Sequence, residues 1–199
     1  HNAETNNAAA SLIALTLAAP ADLVVNTFAA PSSAVVGEDV TVDWTIDNQG
    51  LNPATGWMTD AVYFSADSTW DISDLLLGTS TRQIDLAPGA AARASLTANL
   101  ASAAPADSSG TVVDGTPGLF PGDYYVIIRT DVRDNIRETD NTNNNGVSSA
   151  PVAVDVQSLT LGVEDTGSIS SASPRYYKVN VPVNLDLRVT AASAVRTAP

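Results

Sequence analysis

The stretch DVTVDWTIDN, residues 39–48, alternates without a break. Val40, Val42, Trp44 and Ile46 fall on one side of an extended chain, and Thr41, Asp43, Thr45 and Asp47 on the other. Successive side chains of a β-strand point to opposite faces, so this is a strand with one dry and one wet face. A helix would scatter the same four apolar residues around its circumference.

Outward from this strand the same signal recurs at short intervals. DLVVNTF (22–28) follows Pro20 and precedes a turn marked by Pro31 and Gly37. NQGLNPATG (48–56) reads as a loop, and DAVYFS (60–65) as the next strand, with Ala61, Tyr63 and Ser65 opposite Val62 and Phe64. DSTWDISD (67–74) reads as an acidic loop, residues 75–77 and 82–86 as two short strands, and ARASLTANL (92–100) as another alternating one. Residues 102–120, rich in Ala, Ser, Asp, Gly and Pro, read as a loop insertion. YYVIIRT (124–130) is the strongest strand signal; a polar loop spans 131–146 and a closing strand 147–156. The prediction is an all-β fold, an immunoglobulin-like antiparallel sandwich of about seven strands. Trp44, Tyr63 and Tyr125 are the expected core aromatics.

Composition narrows the function. Nine Lys plus Arg stand against 22 Asp plus Glu, a net charge of -13, with Lys178 the single lysine. That surface repels phosphate backbones and anionic lipid, which argues against nucleic-acid binding and direct membrane insertion. No cysteine is present, so disulfides and thiolate chemistry are excluded. The only histidine is His1, which removes a Ser–His–Asp arrangement, and no glycine-rich phosphate loop occurs. The chain is expected not to be an enzyme.

A short repeat suggests how the chain is organised. Glu4, Thr5, Asn6 and Asn7 precede AAASLIALTL, and Thr142, Asn143 and Asn144 precede Asn145, Gly146 and VSSAPVAVDV. Both are polar turns leading into an apolar strand. Residues 1–18 therefore read as the last strand of a preceding repeat or as a donor strand, and residues 19–157 as one whole sandwich. Residues 8–19 lack a basic leader and read as a strand rather than a signal peptide. Residues 158–199 read as a partial β-domain with strands over 159–173 and 176–190, too short to stand alone.

Several segments carry a family resemblance: PADLVV at 20–25, APSSAVVGEDVTVDWTIDNQG at 30–50, TDAVYFSADSTWDISDLLLG at 59–78, LAPGA at 86–90 and PGDYYVIIRTD at 121–131. With the E-x-D-x-x-NN arrangement of Glu138, Asp140, Asn143 and Asn144, they resemble the CARDB family, a cell-adhesion-related domain of bacteria and archaea. Residues 159–190 resemble the opening of a pre-peptidase-type C-terminal β-domain. The resemblance implies a non-catalytic extracellular module, structural or adhesive, in a prokaryotic secreted or cell-surface protein. Its expected partners are neighbouring β modules of the same or an identical chain, a surface protein, or a glycan. Head-to-tail fibre assembly by strand exchange is one form this takes; the alternative is an accessory binding or secretion domain of a secreted hydrolase.

Two acidic groups are candidate sites. Asp67, Asp71 and Asp74 share one loop, and calcium takes six to eight oxygen ligands, so this loop is a candidate Ca2+ site beside the plain reading of Asx turns. Asp131, Asp134, Glu138 and Asp140 form a second acidic loop, interrupted by Arg133 and Arg137, where turn-forming asparagines favour a structural role. Trp57 and Trp70 are expected in loops, capping the core or stacking on sugar.

Overall fold

The structure is a computed structural model that describes residues 11, 13, 14, 17, 19–100, 104–105, 119–167 and 177–192. No α-helix occurs among them. One sheet has the order β1 (Leu23–Ala29), β3 (Asp39–Asn48), β6 (Ala91–Asn99). The second has the order β2 (Ser33–Val35), β10 (Val152–Asp155), β8 (Gly122–Arg129), β4 (Ala54–Ser65), β5 (Leu75–Leu86), β7 (Ala104–Pro105). A further strand, β9 (Asn145–Val147), pairs with the far half of β8. The sandwich is thus the immunoglobulin-like one expected. The chain changes sheets around Pro31: β1 runs antiparallel to β3, and β2 then runs parallel to β10. It enters the sandwich beside Asn48, at one end, and β10 leaves towards the other.

The alternation read from residues 39–48 is realised fully. Val40, Val42, Trp44 and Ile46 are at most 3% exposed and face Met58, Val62 and Phe64 of β4 and Val126 and Ile128 of β8. Each such aliphatic or aromatic side chain contributes roughly 1.5–3 kcal/mol on burial. Leu23, Leu119 and Ile136 also belong to this core.

Two strand readings need correction. β4 begins at Ala54, so Trp57 sits in a strand, exposed on its outer face, and not in a loop. Residues 75–86 form one strand of 12 residues rather than two. A bulge explains the misreading: Val62 pairs with Gly78 but Tyr63 with Leu76, so Leu77 is extra and the alternation changes phase. Gly78 lies where the sheets approach, and a Cβ there would stand 3.2 Å from the Leu96 side chain.

Tyr125 is not a core aromatic. It is half-buried on the outer face of β8, while Tyr124 packs on the core, edge-on to Phe64 with centroids 6.1 Å apart. The inner positions of β8 are 124, 126 and 128, a phase fixed by the core position of Ile128. Tyr63 is buried, but in a second cluster on the outer face with Ala61, Leu76 and Ile127. Trp70 folds over it from the acidic loop, edge-on at 6.0 Å, and the Arg129 guanidinium lies 3.7 Å from the Trp70 ring. Both faces of residues 58–65 are therefore covered.

Past β10, the strands expected over 159–173 and 176–190 are represented among the described residues by β11 (Gln157–Leu159) and β12 (Tyr177–Val179), paired in parallel, with Lys178 of β12 ion-paired to Asp155 of β10. Val183, Leu185, Leu187 and Val189 keep a strand's alternation, yet stand exposed, with no strand paired to them among the described residues. A strand needs a neighbour for its N–H and C=O groups, and alternation alone does not supply one. The expected N-terminal strand lies outside the described residues, apart from Ser11, Ile13, Ala14 and Leu17, all exposed. Most of the 102–120 insertion lies outside them as well.

Candidate functional site

Asp60 lies inside the sandwich. It shares the inward parity of Val62 and Phe64 and is fully buried. Its Oδ2 accepts the Trp44 indole N–H at 3.0 Å and stands 2.8 Å from Arg82 Nη2. Its Oδ1 accepts the Thr130 hydroxyl at 2.6 Å and the Asp131 amide at 3.3 Å. Residues from β3, β4, β5 and the end of β8 thus converge on one carboxylate. The residue reading missed this group. The available signal was parity: a carboxylate in register with two core residues must be paired when buried.

Next to it, the loop after β8 clamps the start of β1. Glu138 Oε2 accepts the Leu23 amide at 2.7 Å, and Oε1 accepts Asn144 Nδ2 at 2.9 Å. Asn143 Nδ2 donates to Asp22 Oδ1 at 2.9 Å. Backbone bonds Ala21 N–H to Arg137 O and Thr139 N–H to Ala21 O complete the join. The E-x-D-x-x-NN motif is therefore a fastener that ties the entering chain to the far sheet.

Of the second acidic group, Asp131 and Glu138 turn inward and Asp134 and Asp140 do not. Asp131 is buried at positive φ (44°), and its Oδ2 accepts the Ile136 amide at 2.7 Å. Asp134 is exposed and accepts Asn141 Nδ2. Asp140 accepts the Thr142 amide and hydroxyl, and these bonds hold it below its ordinary pKa.

Burial raises Glu138 to a pKa of about 7, against its two hydrogen bonds and with repulsion from Asp131 and Asp22. The folded state then holds this proton more tightly than the unfolded chain. The contribution to stability is full below about pH 4.5 and is lost as pH rises through about 7. Melting temperature in chelator-treated buffer should fall across that window, and Glu138→Gln should flatten the fall. A melting temperature that rises over the same window would contradict the assignment.

The first acidic loop is an array of local turns. Asp67 Oδ1 accepts the Thr69 amide at 2.7 Å; Asp71 Oδ1 accepts the Ser73 amide at 2.7 Å and hydroxyl at 2.5 Å; Asp74 Oδ2 accepts the Asp71 amide at 2.9 Å. The Ser73 bonds lower Asp71, whereas burial raises Asp74. Among the described residues, no three carboxylate or imidazole groups gather as metal ligands, in this loop or elsewhere.

The sequence profile of the CARDB family matches residues 20–149, and the tail lies outside that match. None of the curated proteins matches. Among solved structures, the chain is similar to the CARDB domain of the PF1109 protein of Pyrococcus furiosus in complex with di-metal ions. The identity is 17%, the match covers 71% of this chain and 100% of that one, and the TM-score is 0.44. A solution structure of the same domain gives 16% identity, 68% and 95% coverage and a TM-score of 0.42. A β-glucosidase of Listeria innocua gives 18% identity and a TM-score of 0.39, over 69% of this chain and 16% of the enzyme.

Proposed function

This chain belongs to the CARDB family, and on that footing we propose that it is a non-catalytic structural or adhesive module of a prokaryotic secreted or surface protein. One observation carries the reading: the side chains best suited to chemistry are turned inward and bonded to the fold itself. Asp60, Asp131 and Glu138 hold strands and loops together, as does Asn48, which is bonded to Gly50, Asn52, Asp22 and Leu86. One shallow hollow lies over the three-stranded sheet, lined by residues such as Thr27, Thr45, Asp47 and Arg93, and another lies at its edge beside β2.

The module joins further β modules through its two ends, and strand exchange between copies is the form that the exposed Ile13, Leu17, Val183 and Leu185 favour. The test combines adsorption and assembly. The labelled chain should be retained by envelope or matrix preparations and should turn over no chromogenic ester, glycoside or peptide; turnover would overturn the non-catalytic reading. Electron microscopy should show fibres that vanish when residues 1–18 are deleted. Unchanged fibres, or none from the intact chain, would sink strand exchange.

A further inference from the structure

Trp57 stands apart from the other two tryptophans. It is 61% exposed on the outer face of β4, whereas Trp44 is buried and Trp70 packs between Tyr63 and Arg129. Among the described residues its ring meets no other ring or guanidinium, and its indole N–H has no partner. So large an apolar side chain contributes little to stability when left in water. An outward strand position suits threonine as well, as at Thr55 and Thr79 of the same pair of strands.

The ring is surrounded by polar groups. Gln83 of β5 lies directly across from Trp57, Asp85 on the diagonal, and Thr55 two residues back on β4. All three are exposed, and their side chains make no hydrogen bond among the described residues. Cross-strand neighbours on one face stand about 4.5–5.5 Å apart, so an amide, a hydroxyl and a carboxylate lie within one sugar ring's reach of the indole. The strip is open on its flanks: β8 pairs with β4 only as far as Ala61, and β7 pairs with β5 only at Leu75 and Leu76.

This chemistry selects the occupant. A protein partner needs a contiguous apolar centre, but the other exposed large apolar residues described in the sandwich, Leu51, Ile72, Phe120 and Val147, all lie off β4 and β5. Asp85 and the net charge of -13 repel an anion. A quaternary ammonium takes a cage of several rings, and here there is one. A pyranose presents an apolar C–H face to the negative face of the indole, and a rim of hydroxyls that both donate and accept. Building on the adhesive reading above, we propose that Trp57 is the stacking platform of a glycan site. Its ligand is an uncharged pyranose of a polysaccharide, whose hydroxyls bond to Gln83, Thr55 and Asp85.

One ring and three polar groups bind a single sugar weakly, so insoluble polymers are the probe. Cellulose, chitin or mannan should deplete the intact chain from solution, and anionic alginate should not. Trp57→Ala should weaken retention about tenfold or more, Gln83→Ala should weaken it less, and Ile72→Ala should leave it unchanged. Trp57 and Gln83 are exposed, so the urea midpoint should stay at the parent value, which separates lost binding from lost fold. A soluble oligomer of the retained polymer should shield tryptophan emission from acrylamide, and Trp57→Phe should abolish the shielding, since Trp44 is buried. The site is overturned by depletion on none of the three polymers, by equal depletion on alginate, by unchanged retention of Trp57→Ala, or by shielding that survives in Trp57→Phe. Trp57-dependent retention on envelope preparations that protease treatment of the envelope destroys would assign the platform to a protein partner and overturn the glycan. Envelope retention without polymer binding overturns the glycan site alone, whereas loss of both also removes the adhesive reading.

Discussion

Asp60→Ala is expected to cost about 3–5 kcal/mol of folding stability, the largest effect of any single substitution considered. The loss does not come from one ion pair. Removing the carboxylate leaves the Trp44 indole N–H, the Thr130 hydroxyl and the Arg82 guanidinium facing an apolar interior, with Asp60 itself fully buried. Unpaired buried groups cost more than their hydrogen bonds contribute. Urea unfolding should show a lower midpoint with an unchanged slope. The double replacement Asp60→Leu with Arg82→Met should recover much of the loss, because it removes both charges together. If Asp60→Ala loses less than about 1 kcal/mol, a typical surface-pair value, the carboxylate does not organise the core.

Asn48→Ala should follow, at about 3 kcal/mol or more, since an unsatisfied buried group costs roughly 1–3 kcal/mol. Asn48 is completely buried, and its amide is used at both ends. Nδ2 donates to Asn52 O and Leu86 O, both at 2.8 Å, while Oδ1 accepts Gly50 N–H at 3.0 Å and Asp22 N–H at 3.2 Å. One side chain thus stands in for backbone pairing where four segments meet. Asn48→Asp should be nearly as damaging near neutral pH, because a carboxylate would face two carbonyl oxygens. Amide exchange at Asp22 and Gly50 should accelerate in both variants; unchanged protection would show that these amides have other partners. Gly50 belongs to the same junction: a Cβ there would fall 2.5 Å from the carbonyl carbon of Ala21.

The sandwich was legible wherever one strand face is dry and the other wet. Residues 39–48 and 92–99 alternate, and their partners fall in unbroken register, from Asp39 with Asn99 to Asp47 with Ala91. Legibility failed where that condition fails. Residues 58–65 are buried on both faces, so alternation there could not tell inside from outside, and Asp60 passed as a strand's polar beginning. The bulge at Leu77 split one strand into two apparent ones. At Tyr124 and Tyr125, two identical residues in sequence gave no clue to phase. The acidic residues were visible as a group, but burial separates them. Asp131 is drawn inward by the Ile136 amide five residues on, and Glu138 by the Leu23 amide 115 residues away, a contact that leaves no local trace.

The parallel pairing of β2 with β10 has a consequence for a molecule under load. The pair joins Ser33 to Ala153, Ala34 to Val154 and Val35 to Asp155, extended by Val36 N–H to Asp155 O at 2.8 Å. The chain enters at one pole and leaves β10 towards the other, so tension on the two termini pulls these strands past each other lengthwise. Their hydrogen bonds lie across the line of force and must rupture together rather than unzip in turn. A module placed between a cell and whatever it holds would then yield abruptly, at one threshold, instead of stretching.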